Sequence, residues 1–591
     1  MLWAYRVIIE VVAIHQHILN LIELCVRKGV RQAVISPGSR SAPITLALAR
    51  HPQVECRVVP DERSAGFVAL GLAQQLGQPV ILVCTSGSAL YNLAPAVAEA
   101  CFQHIPLLLL TADRPPEWIH QYDGQTIYQS GIFGKHVKQS YDFPTEFTHP
   151  DTRWYAERIG NEAIHQALRL PPGPVHINLP LREPLYPTAE ESLVFEPVRI
   201  IEQLPAQATL PNDIWHRLLN EWEGSDRILI AVGQNRLNDQ LVSVLRQLHE
   251  EWGTPVVSDI ISNVHRSEGI LTQHDNFLGQ LSGERLNELR PDLLITCGMS
   301  FVSKQLKLFL RNHSPRLHWH LEETHHLTDP FQSLTTLIPH EPVTFFQKLF
   351  ADLDFMRFRE GDEDDADRTY AKQWARAEQQ SLKLLHEFVA RQDIFHELGV
   401  VSEVLAALPA RSQLHLANSM PVRYANYCGL EASRRIEVFA NRGTSGIDGC
   451  VSTAVGAALA VPDRLVTVLV GDVAFFYDRN ALWNTFVPPN LRIVLLNNQG
   501  GNIFRLIDGP ARQPELETYF ETPHTLSARN TAHDADVDYL FADTYTDLTA
   551  ALTHFFGPSA RARLLEIRTD RETNRQQLSG FKKSLAEVFS V

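Results

Sequence analysis

The chain has 591 residues, of which 44% are hydrophobic, and a formal net charge of −15 at pH 7. Such a length exceeds what one hydrophobic core supports and predicts three or four domains. The acidic balance argues against a nucleic acid partner, because nucleic acid binding is driven by phosphate neutralisation. The sequence contains no uninterrupted run of 18 apolar residues, which is the length that predicts a transmembrane helix. We therefore expect no membrane partner either.

Cysteine usage and the N-terminal stretch suggest the compartment. The seven cysteines are scattered and form no C-x-x-C pair, as is typical of reduced thiols in a cytoplasmic protein. The apolar stretch 1–14 contains Arg6 and Glu10, and no small-residue cleavage site follows it. We interpret this stretch as a helix or a frayed start, not as a signal peptide. A cytoplasmic location is therefore expected.

The first third of the chain alternates predicted helices and strands. Apolar spacing predicts an amphipathic helix over residues 13–28. Apolar runs predict strands at residues 33–35, 54–59, 80–84 and 107–110. Such strands, separated by helices, indicate a parallel sheet covered on both faces, with ligands beyond the carboxyl ends of the strands. The turns at those ends carry polar side chains, at residues 36–41, 85–88 and 111–116.

Two similar units follow a proline-rich segment at residues 171–187, which contains one more strand. Strands of the second unit are predicted at residues 227–232, 255–257, 293–296 and 317–320. Strands of the third are predicted at residues 413–416, 436–440, 465–470, 491–496 and 563–567. The acidic run 360–367 between the units predicts a solvated linker or helix edge. We therefore predict an α/β protein with three doubly wound parallel-sheet domains, at residues 1–187, 203–355 and 376–591.

An acidic residue and an amide pair follow two successive strands of the third unit. Gly471-Asp472 ends one strand, and Asn497-Asn498-Gln499-Gly500-Gly501 ends the next. Magnesium prefers about six oxygen ligands, commonly one or two protein groups plus phosphate oxygens. The pattern therefore predicts a magnesium-diphosphate site. A strand pair with ordinary polar turns is the alternative interpretation.

Other chemistries receive less support. The G-x-G-x-x-G fingerprint is absent, which weakens a nicotinamide interpretation, and Walker A and G-x-S-x-G motifs are also missing. Asp113 and Glu117 could be paired carboxylates for acid-base work, but Asp113 is better interpreted as ordering its turn. Four clustered histidines lack the spacing and the cysteine or carboxylate company of a zinc site: His318, His320, His325 and His326.

The separation of 25 residues between Asp472 and Asn497 resembles the GDG-x-NN signature of thiamine diphosphate-dependent enzymes, with Val473 in place of the third glycine. The runs SPGSRSAPITLAL, DERSAGFVALGLA, CTSGSALYNLAPAVAEA, LLLLTADRPPE, GQTIYQSGIFG, ANSMPVR, NRGTSGIDG and GDVAFFYDRNAL to NNQGGNIF follow in order. Together they resemble the family of 2-succinyl-5-enolpyruvyl-6-hydroxy-3-cyclohexene-1-carboxylate (SEPHCHC) synthases. The similarity is close in the first and third units and weak in the middle one.

This resemblance implies the thiamine diphosphate-dependent enzyme fold, with a pyrimidine-binding domain, a central domain and a diphosphate-binding domain. It implies thiamine diphosphate and Mg²⁺ as cofactors, with Mn²⁺ able to replace Mg²⁺. The implied reaction decarboxylates 2-oxoglutarate and joins its four-carbon remnant to isochorismate in menaquinone biosynthesis. Homodimers or homotetramers with active sites between chains are also implied.

The resemblance assigns cofactor contacts to particular residues. Glu62 would hydrogen-bond N1′ of the aminopyrimidine and share a proton with it, which a raised carboxyl pKa would favour. Ile447 would be the wedge beneath the folded cofactor, although a plain core isoleucine is the alternative. Asp472, Asn498 and the Gly500 carbonyl would hold magnesium. The remaining expected cofactor contacts are Ser86, Gly87, Ser419, Gly471, Ile503 and Phe504, the last two as apolar walls.

Both implied substrates carry two carboxylates, which arginine forks match. By motif, the pocket residues would be Ser39, Arg40, Arg114, Gln125, Ser419, Arg423, Arg442 and Lys304. Exposed surface arginine is the alternative for each arginine. The chain departs from the family where Lys304-Gln305 replaces a Lys-Arg pair, so one cationic contact is absent or supplied elsewhere. Two functional alternatives stay open: another thiamine diphosphate-dependent 2-oxoacid decarboxylase or carboligase, and a catalytically silent binding module.

Overall fold

The computed structural model describes most of the chain, in two units. The described residues are 14, 16–147, 149–188, 192–204, 209–267, 269–324, 326–360, 368–507 and 509–589, with backbone only at 357–360. The first unit comprises the described residues up to 204 together with 443–461 and 478–486, and the second comprises the rest. The predicted N-terminal start before Ile14, the acidic run 361–367 and His325 lie outside the described residues.

The first sheet belongs to the first unit. Its strands are Gln32–Ile35 (β1), Glu55–Val58 (β2), Val80–Cys84 (β3), Leu107–Asp113 (β4), Ser140–Asp142 (β5) and Val175–Pro180 (β6). They run parallel in the order β2-β1-β3-β4-β6-β5. The accompanying helices are Gln16–Arg27 (α1), Ala42–Arg50 (α2), Glu62–Leu76 (α3), Ala89–Phe102 (α4) and Pro150–Leu168 (α5).

The second sheet lies in the second unit. Its parallel strands are Ile228–Val232 (β7), Val256–Ser258 (β8), Ile270–Leu271 (β9), Leu293–Cys297 (β10), Leu317–Leu321 (β11) and Thr336–Ile338 (β12). Their order is β12-β11-β10-β7-β8-β9. The helices are Asn212–Glu223 (α6), Asp239–Trp252 (α7), His274–Phe277 (α8), Glu284–Glu288 (α9), Lys304–Asn312 (α10) and Pro342–Glu360 (α11).

The third sheet also lies in the second unit. Its parallel strands are Gln413–Leu416 (β13), Glu437–Ala440 (β14), Val466–Gly471 (β15), Leu491–Asn497 (β16), Asp538–Ala542 (β17) and Arg563–Arg568 (β18), in the order β14-β13-β15-β16-β18-β17. The helices that accompany this part of the chain are Thr369–Val389 (α12), Glu397–Ala407 (α13), Met420–Cys428 (α14), Cys450–Ala460 (α15), Asp472–Tyr477 (α16), Ile503–Leu506 (α17), Arg529–Asp534 (α18), Tyr545–Phe555 (α19) and Arg571–Phe589 (α20).

The predicted α/β class with three parallel sheets is confirmed. Every residue of β3, β4, β10 and β16 is buried, as strands covered on both faces require. The predicted end of the fourth strand was wrong: residues 111–113 were assigned to a turn, whereas β4 continues to Asp113 because β6 pairs with it that far. The domain bounds 1–187, 203–355 and 376–591 stay a prediction.

Helices α3 and α15 pack tightly within the first unit, although they are far apart in sequence. A Cβ added at Gly71 would lie 2.1 Å from the Thr453 carbonyl oxygen, and one at Gly456 would lie 2.1 Å from that of Val68. Only glycine permits such an approach of two backbones. This contact fixes α3, whose first residue is Glu62, against the segment that follows Ile447.

The seven cysteines, all within the described residues, form no disulfide. None of the helices in the described ranges is both long and apolar enough to cross a lipid bilayer.

The strand histidines His318 and His320 both contact the Thr296 hydroxyl, at 2.9 Å, and burial lowers the pKa of His318 to about 4.

A buried histidine predicts acid lability of the first sheet. His176 is fully buried between the hydroxyls of Thr111 (2.7 Å) and Ser140 (3.1 Å), and burial lowers its pKa to about 4. The unfolded chain therefore binds a proton that the folded chain does not, and stability is lost as the pH falls from about 6.5 towards 4. At pH 5 this loss amounts to about 2 kcal/mol.

We expect His176→Gln to narrow the difference in melting temperature between pH 7 and pH 5. The exposed His149 offers a matched control, and His149→Gln should leave that difference as it is in the wild type. Equal pH dependence in all three proteins would contradict the assignment. Differential scanning calorimetry at both pH values makes the comparison.

Candidate active site

In the first unit, the loops after β3 and β4 meet at the carboxyl edge of the sheet. Gly87 has φ of +90° and its N–H donates to the Gln129 side chain at 2.9 Å. A Cβ at Gly87 would lie 3.1 Å from the Gln125 Cα atom. Gln125 itself is in the left-handed region, with φ of +58°. The structure therefore brings two of the predicted site residues together through backbone contact.

Arg40 and Arg114 are close enough for their charges to interact. Arg40 is only 5% exposed and donates to the Leu181 carbonyl at 3.0 Å. Burial lowers the pKa of Arg40, and the nearby charge of Arg114 lowers it further, against the opposing charge of Glu183. Arg114 pairs with Asp123 at 3.0 Å. Two guanidinium groups that repel each other are well suited to a dicarboxylate.

Glu62 is the first residue of α3. The Asp61 side chain caps this helix by accepting from the Arg63 and Ser64 N–H groups at 2.9 and 3.4 Å. The amide of Asn92 donates to Glu62 Oε2 at 3.2 Å. The Glu62 carboxyl is thus held at the start of a helix that Asp61 caps.

Two more predicted cofactor contacts lie in the first unit. Ser86 is buried, and within the described residues its hydroxyl finds no hydrogen-bond partner. Ile447 is half-buried, in a loop anchored by Glu99, which accepts from the Gly443 and Thr444 N–H groups at 2.8 and 2.6 Å. Ser39, by contrast, is exposed.

In the second unit, Asp472 directly follows β15 and begins α16. Its Oδ2 accepts from the Gly500 N–H at 2.9 Å and lies 3.3 Å from His524 Nε2. Its Oδ1 accepts from the Val473 N–H at 2.7 Å. Asp472 is buried, and Gly471 precedes it as the last residue of β15. The structure therefore brings Asp472 and the Gly500 loop together.

The asparagines at and beyond the end of β16 differ in whether the protein satisfies their side-chain amides. Asn497 is satisfied by protein, since its Nδ2 donates to Glu566 at 2.7 Å and to the Leu526 carbonyl at 2.9 Å. Asn498 is buried too, but its Oδ1 has no partner among the described residues. Asn502, which sequence reasoning missed, is buried with neither amide atom partnered there. Unsatisfied buried amides require an explanation, and an absent ligand provides one.

These groups fit a magnesium ion and a diphosphate. A carboxylate, an amide oxygen and a backbone carbonyl are hard oxygen ligands, as Mg²⁺ requires. The Asn502 amide supplies donors for phosphate oxygens. Ile503 and Phe504, which follow it, are half-buried in α17, and the Phe504 ring packs 5.7 Å from that of Phe520.

Loops after β13 and β14 hold the remaining polar groups. Ser419 has φ of +73°, and its carbonyl accepts from Arg423 Nη1 at 2.5 Å. Arg442 Nη1 donates to Asn418 Oδ1 at 2.7 Å. The Asn418 amide in turn donates to the Asn441 carbonyl at 2.7 Å. These bonds bring Ser419, Arg423 and Arg442 to one edge of the third sheet.

Helix α10 begins at Lys304, which is exposed, and Gln305 packs against Gly279. One turn further, Lys307 Nζ donates to the Phe301 carbonyl at 2.9 Å. Burial lowers the pKa of Lys307, and the charge of Asp259 opposes this shift while that of Arg442 adds to it. The structure therefore places Lys307 within electrostatic reach of Arg442.

Glu397 was missed by sequence reasoning. It is buried at the start of α13, and its Oε1 accepts from Asn498 Nδ2 at 2.7 Å. Burial raises the pKa of Glu397 to about 7, although the hydrogen bond from Asn498 works against this rise. The contact turns Asn498 Oδ1 away from Glu397. The available signal was a glutamate that opens an apolar helix, as Glu62 also does at the start of α3.

We expect Glu397→Leu to weaken magnesium binding by about 10- to 100-fold, the usual effect of removing a group that orients a metal ligand. Glu397→Gln retains an acceptor oxygen and should restore most of the affinity. Magnesium titrations at fixed thiamine diphosphate measure both variants. Equal loss in the two variants would mean that Glu397 does not act by orienting Asn498.

Comparisons with known proteins agree with this arrangement. Three family models match in order: the thiamine pyrophosphate enzyme N-terminal TPP binding domain over residues 20–135, the middle domain of thiamine pyrophosphate enzymes over 202–416, and the C-terminal TPP binding domain over 420–567. The first and third are the regions that hold Glu62 and Asp472.

Curated relatives extend over nearly the whole chain. A SEPHCHC synthase of Cytophaga hutchinsonii is 42% identical, covering 97% of this chain and 100% of its own length. Synthases of the same name from Flavobacterium johnsoniae and Christiangramia forsetii are 37% and 36% identical, covering 96% and 95% of this chain and 98% and 97% of theirs. The chain therefore belongs to the SEPHCHC synthase family of thiamine diphosphate-dependent enzymes.

Proposed function

We propose that the chain decarboxylates 2-oxoglutarate and adds the four-carbon remnant to isochorismate, giving SEPHCHC in menaquinone biosynthesis. The relatives bear the name of this synthase over nearly their full length. The structural observation that carries the proposal is a pair of arginines beyond the strand ends within each unit: Arg40 and Arg114 in the first, Arg423 and Arg442 in the second. A simple decarboxylase has no need of so many guanidinium groups.

The second unit would hold the diphosphate and its metal. We propose that Asp472, Asn498 Oδ1 and the Gly500 carbonyl bind Mg²⁺, for which Mn²⁺ can substitute. The unpartnered Asn498 oxygen supports this ligand set. Thiamine diphosphate, when bound, supplies the carbanion-stabilising chemistry. The Asn502 amide is proposed to donate to the diphosphate. Gly471 and Ser419 are proposed as further cofactor contacts.

The first unit would supply the proton relay. Glu62 is proposed to hold a proton at N1′ of the aminopyrimidine, where a carboxyl can give and take it reversibly. Ser86 and Gly87 would contact the same ring, and the unpartnered Ser86 hydroxyl supports this role. Ile447 would wedge the cofactor into its folded form, for which its half-buried position leaves an apolar surface available.

Substrate carboxylates would be bound by the basic residues. Arg40 and Arg114 form one pair, and Arg423 and Arg442 another, with hydrogen bonds from Ser39, Gln125 and Ser419. We propose that Lys304, at the start of α10, is a further carboxylate contact. We also propose that Lys307, near Arg442, supplies the positive charge that is missing because Gln305 stands in place of an arginine. Ile503 and Phe504 would exclude water, because premature protonation would give only succinic semialdehyde.

The proposal extends to the assembly and the compartment. Family membership supports a homodimer or homotetramer with active sites shared between chains. Seven thiols without a disulfide support a reducing, cytoplasmic location. No nucleic acid or membrane partner is proposed, in keeping with the net charge of −15.

The test follows isochorismate consumption by the purified protein with thiamine diphosphate, Mg²⁺ and 2-oxoglutarate, omitting each in turn. Consumption that requires all three establishes the synthase. Release of carbon dioxide from 2-oxoglutarate while isochorismate persists would assign another decarboxylase or carboligase. No reaction in the complete mixture would favour a silent module.

A further inference from the structure

A cleft of about 850 Å³ opens in the second unit. Four arginines and one aspartate are the charged residues among its lining, which we call the basic cleft: Arg266, Arg411, Arg435, Arg464 and Asp463. The chain as a whole carries a net charge of −15. A local excess of arginine on an acidic protein is therefore a specific feature of this surface and not a property of its composition.

Within the second unit, the basic cleft lies away from the residues proposed to bind magnesium. Arg411, Arg435 and Arg464 each precede a strand of the third sheet by two residues, whereas Asp472 follows the opposite end of β15. A strand of six residues spans about 20 Å. The cleft is therefore at the amino edge of the sheet, and the metal ligands are at its carboxyl edge.

Arg266 places a largely buried guanidinium group at the cleft, with hydrogen-bond donors that have no acceptor in the part of the chain that the structure describes. Its side chain is only 9% exposed, and its Nε and Nη1 atoms make no hydrogen bond within the described residues. The nearest carboxylate, Asp239, lies 3.9 Å from Nη1, is itself 68% exposed, and is shared with Arg435 at 3.6 Å. Buried guanidinium N–H groups without hydrogen bonds are costly, so these two nitrogen atoms call for an acceptor.

The remaining arginines are held in place around it. Arg464 donates through Nε to the Arg411 carbonyl at 3.2 Å and through Nη1 to Glu437 at 3.0 Å. Burial lowers the pKa of Arg266; the charges of Asp239 and Glu437 oppose this shift, and those of Arg435 and Arg464 add to it. The arginines outnumber the neighbouring carboxylates, so their mutual repulsion is incompletely offset. An anion would relieve both the repulsion and the missing hydrogen bonds.

We propose that the basic cleft binds a small organic dianion, a dicarboxylate or a phosphate monoester, separately from thiamine diphosphate. Guanidinium forks match carboxylate and phosphate oxygens alike. The volume is ample for a small metabolite. This site takes no part in the proposed reaction, so it stands or falls independently of the synthase activity.

The test measures anion binding with the cofactor site already filled. The protein, saturated with thiamine diphosphate and Mg²⁺, is titrated at low ionic strength with inorganic phosphate and with succinate, and thermal stability is compared with chloride at equal ionic strength. We expect saturable stabilisation by at least one probe. The two probes distinguish a phosphate from a dicarboxylate preference. Stabilisation by neither would overturn the proposal.

Substitutions at the lining arginines test whether the anion binds in the basic cleft. Arg266→Gln should raise the dissociation constant of the effective probe by at least about tenfold, equivalent to about 1.4 kcal/mol. Because a buried substitution can impair folding, the exposed Arg411 provides a second variant, Arg411→Gln, with the same expected direction. Arg217→Ala, which alters an exposed arginine on α6, is the control and should bind as the wild type does. Undiminished binding in both cleft variants would place the anion elsewhere and refute the proposal.

Discussion

Replacing Glu62 with glutamine is expected to lower turnover by about 10²- to 10⁴-fold while thiamine diphosphate still binds. Glutamine has the same shape as glutamate and can keep a hydrogen bond such as the one from Asn92, but it cannot give and take a proton at N1′. Initial rates of isochorismate consumption measure the first effect. Cofactor titration followed by tryptophan fluorescence measures the second.

The control for Glu62→Gln is Glu162→Gln on α5. Glu162 is partly exposed and pairs with Arg158 at 2.7 Å, so its loss should change neither rate nor cofactor affinity. If Glu62→Gln retained full turnover, the proton relay would have to be assigned to another group. If the variant lost cofactor binding as well, the role of Glu62 would be in binding and not in proton transfer.

Asp472→Asn is expected to weaken the apparent affinity for magnesium by more than about 100-fold, because even residues that only orient a metal ligand contribute 10- to 100-fold. The substitution removes a buried charge but preserves the shape of the side chain and an acceptor for the Gly500 N–H. Isothermal titration of Mg²⁺ at fixed thiamine diphosphate measures the effect. Activity should fall in parallel and recover partly at high Mg²⁺.

A matched control for Asp472→Asn is Asp547→Asn, which lies at the start of α19 and bonds the Thr544 hydroxyl. It should leave the magnesium affinity unchanged. Thermal unfolding without Mg²⁺ separates a metal effect from a folding effect, since a metal ligand stabilises only when the ion is bound. Wild-type magnesium affinity in Asp472→Asn would remove this carboxylate from the proposed ligand set.

Long apolar runs made the central strands predictable. Residues 80–84 were predicted as a strand, and β3 has those limits. The short edge strands β5, β9, β12 and β17 were missed. An edge strand pairs on one side only and is less buried than a central strand, as β17 shows with four half-buried residues of five. Its pairing depends on the neighbouring strand, which local sequence does not reveal.

The candidate site was predictable where motif and strand end coincide. Asp472, Asn498 and Gly500 follow strand ends, as expected, and the structure joins Asp472 to the Gly500 loop. Glu397 stands out through its burial and its hydrogen bond from Asn498, which is 101 residues away, and Asn502 through burial without a side-chain partner among the described residues. Sequence pattern alone could reveal neither. The same holds for Arg266, because its Nε and Nη1 atoms, unsatisfied within the described ranges, can be seen only in the folded chain.

The register of β16 limits which changes in chain length the protein can accept. Asn497 is the last residue of β16 and its Oδ1 accepts from the Gln499 N–H, whereas Asn498 follows the strand and its Oδ1 has no partner among the described residues. A single-residue insertion or deletion within β16 would move the side chains beyond it to the other face of the sheet, Asn497 included, and would shift the loop that carries Asn498. Length variation in the loop at 483–490 preserves the strand register and carries little entropic cost. We therefore expect natural insertions and deletions to occur in that loop and to be absent from the strand.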